Sequence, residues 1–326
     1  MIRKCLFFLA VITTVGYSVG HATESWAADK YPSRPVSMVV AFGPGTFTDV
    51  ITRLIADHLQ RAFASPFIVE NKPGAGGTIG SATVARAQPN GSTLLTATNG
   101  TISVVKSLYS NVPYDPDRDF EPVARVARMS SMVVVNTSLP ISTPGELVVY
   151  ARTNPGRFRY GYGNSTGVIA GETLKQALGI DITAVPYRGN PQALIDVMNG
   201  NIEGMIVDLQ SGALQIKANK VRPIATVGPK RSGIFPNVPT LNETVIPGFA
   251  SGGWTGILAP AGTPRDIVML LGEEIRKFTL RADVREKMLA ALVEVDYAGP
   301  DEFAAFLKSE STRWAAMANA AKIKPE

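Results

Sequence analysis

The sequence predicts an α/β protein with two sheets and a ligand site between them. Two observations carry this. Strand-like and helix-like stretches alternate along most of the 326 residues, which implies largely parallel sheets. The same strand–glycine turn–helix unit also occurs twice, from Val36 to Ala62 and from Phe158 to Leu178. Each sheet is too small to enclose a ligand, so the natural place for one is between them.

The first unit opens with Val36 to Phe42, an apolar run rich in β-branched residues that reads as a strand buried on both faces. Gly43-Pro44-Gly45 breaks it, and the hydroxyls of Thr46 and Thr48 can cap a helix. Ile51, Leu54, Ile55, Leu59 and Ala62 then fall at helical spacing. Strand, tight turn and helix start in that order aim unpaired backbone N–H groups at one point, which suits a carboxylate or a phosphate.

Pro66 to Glu70 is a second strand, running into the glycine-rich stretch Asn71 to Gly80 and a helix from Ser81 to Ala87. The glycine spacing matches neither a dinucleotide fingerprint nor a P-loop. Close backbone approach to a ligand and a flexible turn both remain open there. Thr93 to Ala97 is a third strand with a small, polar end at Thr98-Asn99-Gly100-Thr101, and Tyr114 to Phe120 is a loop that ties down a surface. Met132 to Val135 is a strand, after which Thr143-Pro144-Gly145-Glu146 caps a helix through Ala151.

The second unit runs from the strand Phe158 to Tyr162 through Gly163-Asn164-Ser165-Thr166-Gly167 into a helix from Val168 to Leu178. Ile182 to Pro186 is a strand; Asn190 caps the next helix, with Pro191 at its first position, and Gly200 closes it. Ile202 to Val207 is a strand ending on Asp208, an acid placed either to meet a ligand or to cap the following turn. Val221 to Val227 is a strand, Pro236 to Pro247 a proline-spaced loop, and Gly252 to Ala259 a strand. Helices follow at Arg265 to Phe278, Val284 to Leu292 and Pro300 to Ala320; Phe303, Phe306, Leu307, Trp314 and Met317 of the last belong to a core.

Composition narrows the function. With 45% hydrophobic and 18% charged residues, the chain can bury a large core, and its length suits two domains. The net charge of +5 is spread over scattered Lys and Arg, which excludes a nucleic-acid tract. Arg3 and Lys4, an apolar run from Leu6 to Val15, and small residues before Asp29 have the layout of a secretory signal peptide cut after Ala27. Cys5 would leave with it, so the mature chain would hold no disulfide, thiolate nucleophile or Cys-based metal site. His58, mid-helix, would be the remaining histidine of the folded region, which argues against a Ser-His-Asp triad, a zinc site or any other catalytic centre. Neither metal nor cofactor is implied.

Six segments in order then carry a resemblance: Phe42 to Asp49, Val69 to Gly77, Val112 to Phe120, Val185 to Gly189, Pro236 to Thr240 and Leu258 to Pro264. Together the chain resembles the extracytoplasmic solute receptors of tripartite tricarboxylate transporters, the Bug family, over essentially its whole mature length. The resemblance implies a two-lobed periplasmic-binding-protein fold (type II-like), with residues 1–27 a signal peptide, 30–128 and 252–326 one lobe, and 129–251 the other. The chain would cross between lobes near Arg128 and Gly252. The resemblance further implies a small carboxylate held in the cleft, delivery to membrane permease subunits, a periplasmic location and a monomer. A receptor that docks a sensor kinase has the same cleft. Carried over residue by residue, the site would comprise Phe42, Thr46, Phe47, Thr48, Asp49, Thr98, Asn99, Thr101, Asn164, Ser165, Thr166, Tyr187 and Asp208. Phe42 and Phe47 would form an apolar wall, Asn99 and Thr101 would orient the ligand, and Asp208 would receive a donor on it. The chain departs from the family at Thr46-Phe47, where two glycines are usual, and at Ile102 and Val168-Ile169, where many members carry histidine.

Overall fold

The computed structural model describes residues 31–320, 322 and 325, without the side chain of Ser165. The expected signal peptide, residues 1–27, lies outside the described residues. The chain begins with β1 (Val36–Val40), α1 (Phe47–Phe63), β2 (Phe67–Asn71), α2 (Thr78–Ala85), β3 (Thr93–Thr98), α3 (Val105–Leu108) and β4 (Phe120–Met129). It continues with β5 (Ser131–Asn136), α4 (Pro144–Thr153), β6 (Phe158–Tyr162), α5 (Ser165–Leu178), β7 (Ile182–Pro186), α6 (Asn190–Asn199), β8 (Gly204–Asp208), α7 (Leu209–Lys217), β9 (Val221–Thr226) and α8 (Leu241–Thr244). It ends with β10 (Gly253–Pro260), α9 (Arg265–Leu280), α10 (Ala282–Ala290), β11 (Glu294–Ala298) and α11 (Pro300–Ala320).

Two sheets form. The first has the order β11-β4-β10-β3-β1-β2, the second β7-β6-β8-β5-β9. They are mixed, against the largely parallel arrangement expected. β1, β2 and β3 run parallel, as do β6, β7 and β8. β10 returns from the far end of the second sheet and slots between β3 and β4, antiparallel to both. β5 follows β4 directly and lies antiparallel to β8 and β9. The crossing segments lie side by side, with Gly253 opposite Met129 and Trp254 opposite Arg128.

Each sheet is buried on both faces. In the first, Met38, Leu94 and Ile257 pack with Ile51, Ile55 and Leu59 of α1 and Leu271 and Ile275 of α9. Val39, Leu95 and Leu258 face the other way, toward Val84, Trp254 and Phe303. The second sheet buries Val133, Phe158 and Ile206 against α4 and α5, and Met132, Met205 and Val207 against α6 and α7.

The last helix joins the two cores. Phe303, near its start, belongs to the first, whereas Trp314 and Met317 belong to the second. Between them Glu310 is 1% exposed and accepts a hydrogen bond from Trp314 Nε1 at 2.9 Å. Burial pushes its carboxyl up, against the opposing pull of Arg313 and the Trp314 indole.

Candidate functional site

The carboxyl ends of β1 and β3 in one sheet, and of β6, β7 and β8 in the other, carry the loops read from the sequence as ligand-facing. Loops at such ends hold ligands because helix N-termini converge there with N–H groups unpaired.

The first turn is stapled by its own side chains. Thr46 is the N-cap of α1: its Oγ1 accepts from the Asp49 N–H at 3.4 Å and donates to the Gly43 carbonyl at 2.8 Å. The Thr46 and Thr48 hydroxyls lie 3.1 Å apart. Asp49 is 3% exposed, and its carboxylate accepts from the Gly45 N–H at 2.9 Å, Asn71 Nδ2 at 2.9 Å and Arg53 Nε at 3.1 Å. Burial raises its carboxyl, but the Arg53, Gly45 and Asn71 donors outweigh that and hold it below the usual carboxylate range. Asp49 is thus the keystone of the turn and its oxygens are already engaged. The N–H groups of Phe47 and Thr48, in the first turn of α1, are the ones left for an anion.

Phe47 does not stand free as a wall. Its ring is half-buried against the core that holds Ile51 and Ile55. Phe42 does border the loop region: a Cβ on Gly77 would lie 3.4 Å from its ring and 2.7 Å from the Thr101 methyl. The glycine-rich stretch is therefore a close-packed lid over the end of β1, which leaves the flexible-turn reading unsupported. Asn71 also donates to the Phe42 carbonyl at 3.1 Å, a second anchor that sequence reasoning missed.

At the end of β3, Thr98 is 6% exposed and Asn99 7%. Thr101 is fully buried; its hydroxyl accepts from the Thr98 N–H and donates to the Thr98 carbonyl, both at 3.1 Å. This corrects the expectation that Thr101 orients a ligand: its hydroxyl closes the turn. α1 is registered over β3 by the Thr52–Thr96 hydroxyl pair, 2.7 Å apart and fully buried.

The second turn is built differently. Asn164 is the N-cap of α5 and accepts from the Gly167 N–H at 2.8 Å. Asn190 was expected to cap α6, but Gly189 holds that position and no side chain caps it. Instead Asn190, 5% exposed, accepts from the Gly163 N–H at 3.0 Å and donates to Asp208. Asp208 in turn caps α7, accepting from the Ser211 N–H at 2.8 Å. Asp208 thus takes the capping role of the two open at the sequence level. Tyr187 points its hydroxyl away, donating to Asp196 at 2.7 Å; burial, and then that hydrogen bond, push its phenol up to about 12. The side chain of Ser165 lies outside the described residues.

The two turns meet. Asn99 Nδ2 of the first sheet reaches Thr166 Oγ1 of the second at 3.5 Å. Asn99 and Thr166 therefore meet at a junction between the sheets, whereas the side chains of Asp49, Thr101, Tyr187 and Asp208 are bonded within their own sheet's loops and helices. Among the described residues no group of three His, Cys, Asp or Glu could hold a metal, and no helix is long and apolar enough to cross a membrane.

Two mixed sheets joined by paired crossing segments, touching where the loop after β3 meets the start of α5, define a two-lobed solute-binding protein. Residues 51–323 match the model of the tripartite tricarboxylate transporter family receptor. The chain belongs to that family, a family of solute-binding receptors and not of enzymes. It is 31% identical over 303 residues to the protein BugT of Bordetella pertussis, covering 91% of this chain and 93% of that one. A Rhodopseudomonas palustris protein, Rpa4515 with adipate, is similar at TM-score 0.75 and 32% identity, covering 91% of this chain and all of the other. MatC of the same organism, with bound malate, is similar at TM-score 0.70 and 30% identity, covering 88% of this chain and 100% of that one.

Proposed function

We propose that this protein is a periplasmic receptor that captures a small carboxylate between its lobes and delivers it to membrane permease subunits. The observation that carries the reading is the Asn99–Thr166 contact, which brings the loop at the end of β3 in one sheet against the start of α5 in the other. The adipate and malate bound by the two similar structures are dicarboxylates, the chemistry that two opposed N–H clusters match. One carboxylate sits on the Phe47 and Thr48 N–H groups with the Thr48 hydroxyl. The second lobe contributes the start of α5 and the Thr166 hydroxyl, and Asn99 fixes the orientation between them. Residues 36–129 with 253–320, and residues 131–226, act as the two lobes, and the paired segments at Met129 and Gly253 are the hinge. A ligand that touches both lobes favours the closed state by its extra contacts there.

A thermal-shift screen of the protein against mono-, di- and tricarboxylates, amino acids and neutral sugars tests this. A ligand at 100 times its Kd adds about 2.7 kcal/mol of stability. A shift with a carboxylate supports the reading; a shift only with a sugar or a cation, or turnover of the ligand, overturns it.

A further inference from the structure

A cavity of about 340 Å³ opens beside the crossing segments, on the side of them that carries β9 and β11. It lies between Arg128–Ser130 and Ser251–Trp254, walled by β11, the loop after β9 and α11. Strand order separates it from the cleft. In the first sheet the cleft loops follow β1 and β3, while β11 is the opposite edge beyond β4. In the second they follow β6, β7 and β8, while β9 is the opposite edge.

The wall has an unmet polar demand. Ser251 is 1% exposed and lines the cavity, yet its Oγ has no hydrogen-bond partner among the described residues. Buried hydroxyls are rarely left so, because desolvation without a partner is costly. Lys230, on the same wall, has no ion-pair partner among the described residues, whereas Arg128, Arg231 and Arg313 pair with Asp296, Glu243 and Glu310. The acids of the wall are engaged. Asp296 holds Arg125 as well as Arg128, Glu294 accepts from Ser232 Oγ at 2.8 Å and the Gly233 N–H at 2.9 Å, and Glu310 holds Arg313 and Trp314. What remains open is a buried hydroxyl, the Nε–H of Arg313 and an ammonium, beside the apolar surfaces of Met129 and Phe306.

We infer that this cavity is a second binding site, for a small organic anion whose carboxylate is taken by Lys230 and Ser251 and whose apolar body lies against Met129 and Phe306. An apolar wall with a few convergent polar groups is the usual composition of a small-molecule site. Because Ser130 and Lys230 belong to one sheet's loops and Arg128 and Asp296 to the other sheet, the occupant touches both lobes at the hinge.

Benzoate, a carboxylate on an apolar ring, is a suitable probe. Its binding to the purified protein is measured by calorimetry, alongside Ser251→Ala, Lys230→Gln and the cleft variant Thr166→Ala. Affinity should fall about tenfold in each of the first two, the loss of one hydrogen bond to a charged group, and stay unchanged in the third. Unliganded Ser251→Ala should melt no lower than the parent, since the deleted hydroxyl had no partner. Any other binding pattern, including no binding by the parent, overturns the inference.

Discussion

The turns that lead into α1 and α5 are held by opposite strategies. The Gly43–Asp49 turn closes largely on itself: Thr46, Asp49, Gly45 and Gly43 bond one another, and Arg53 and Asn71 reach in to Asp49 from outside. The Gly163–Gly167 turn has a single internal bond, Asn164 to Gly167, and is otherwise held by Asn99 and by Asn190 at the start of α6, which is itself bonded to Asp208 at the end of β8. A self-closed turn keeps its shape when its lobe moves. A turn held by neighbours keeps its shape only while three loops stay in register, so its geometry reports on the whole edge of its sheet.

The largest effect should come from Gly163→Ala. A Cβ there would lie 2.2 Å from the Asn190 nitrogen and the Gly189 carbonyl carbon, both backbone atoms that cannot swing aside. Forcing the loops apart should cost about 3 kcal/mol in urea unfolding and abolish ligand binding. A neutral result would show that the second turn is not held from next door.

Asp49→Ala should come next, at about 2 kcal/mol, because it strips a buried carboxylate from its donors. The effect has a pH signature. The Asp49 carboxyl is depressed below its ordinary value of 3.8, so its contribution is present above that pH and is lost as pH falls through the folded-state value. The parent should therefore lose stability on the acid side more steeply than Asp49→Ala. Parallel acid limbs would mean that the first turn is not closed by this charge.

Gly45→Ala separates conformation from contact. Its Cβ would meet nothing within 4 Å, but the residue sits at φ 78°. It should cost about 1 kcal/mol through backbone strain alone, well short of Gly163→Ala. Equal costs would erase the distinction between the two turns.

The smallest effects sharpen the ligand side. Thr166→Ala should weaken carboxylate binding about fivefold, with melting of the unliganded protein unchanged. Lys72→Ala breaks only a surface pair with Glu70, at 3.1 Å, and should change stability by less than about 0.5 kcal/mol. A larger binding loss at Lys72 than at Thr166 would move the site off the junction.

The same contrast explains what could be read from the sequence. β6, β7 and α11 fall where their patterning put them, and the Thr143–Glu146 capping box is present with both of its bonds. Such features are written within a few residues. β4 was missed because its apolar run is broken by Glu121, Arg125 and Arg128; Arg125 is 4% exposed yet tolerated because Asp296 and the Phe306 ring receive it from distant parts of the chain. β11 was missed because Glu294 and Asp296 make it look like a loop. The antiparallel entry of β10 leaves no local mark. In the site, the first turn was legible because it is self-closed. Asn190 was misread because its partners, Gly163 and Asp208, are 27 and 18 residues away.

The position of β10 also sets an order of assembly. All five strands of the second sheet lie within residues 131–226, so that sheet is complete once this stretch has emerged. The first sheet cannot be, because the strand between β3 and β4 is supplied by residues 253–260. A chain made from its N-terminus therefore waits with β3 and β4 unjoined until most of it exists, even though their residues came first. The lobe that begins the sequence is the one finished last, and α11, bridging the two cores, is placed to lock the pair once both are formed.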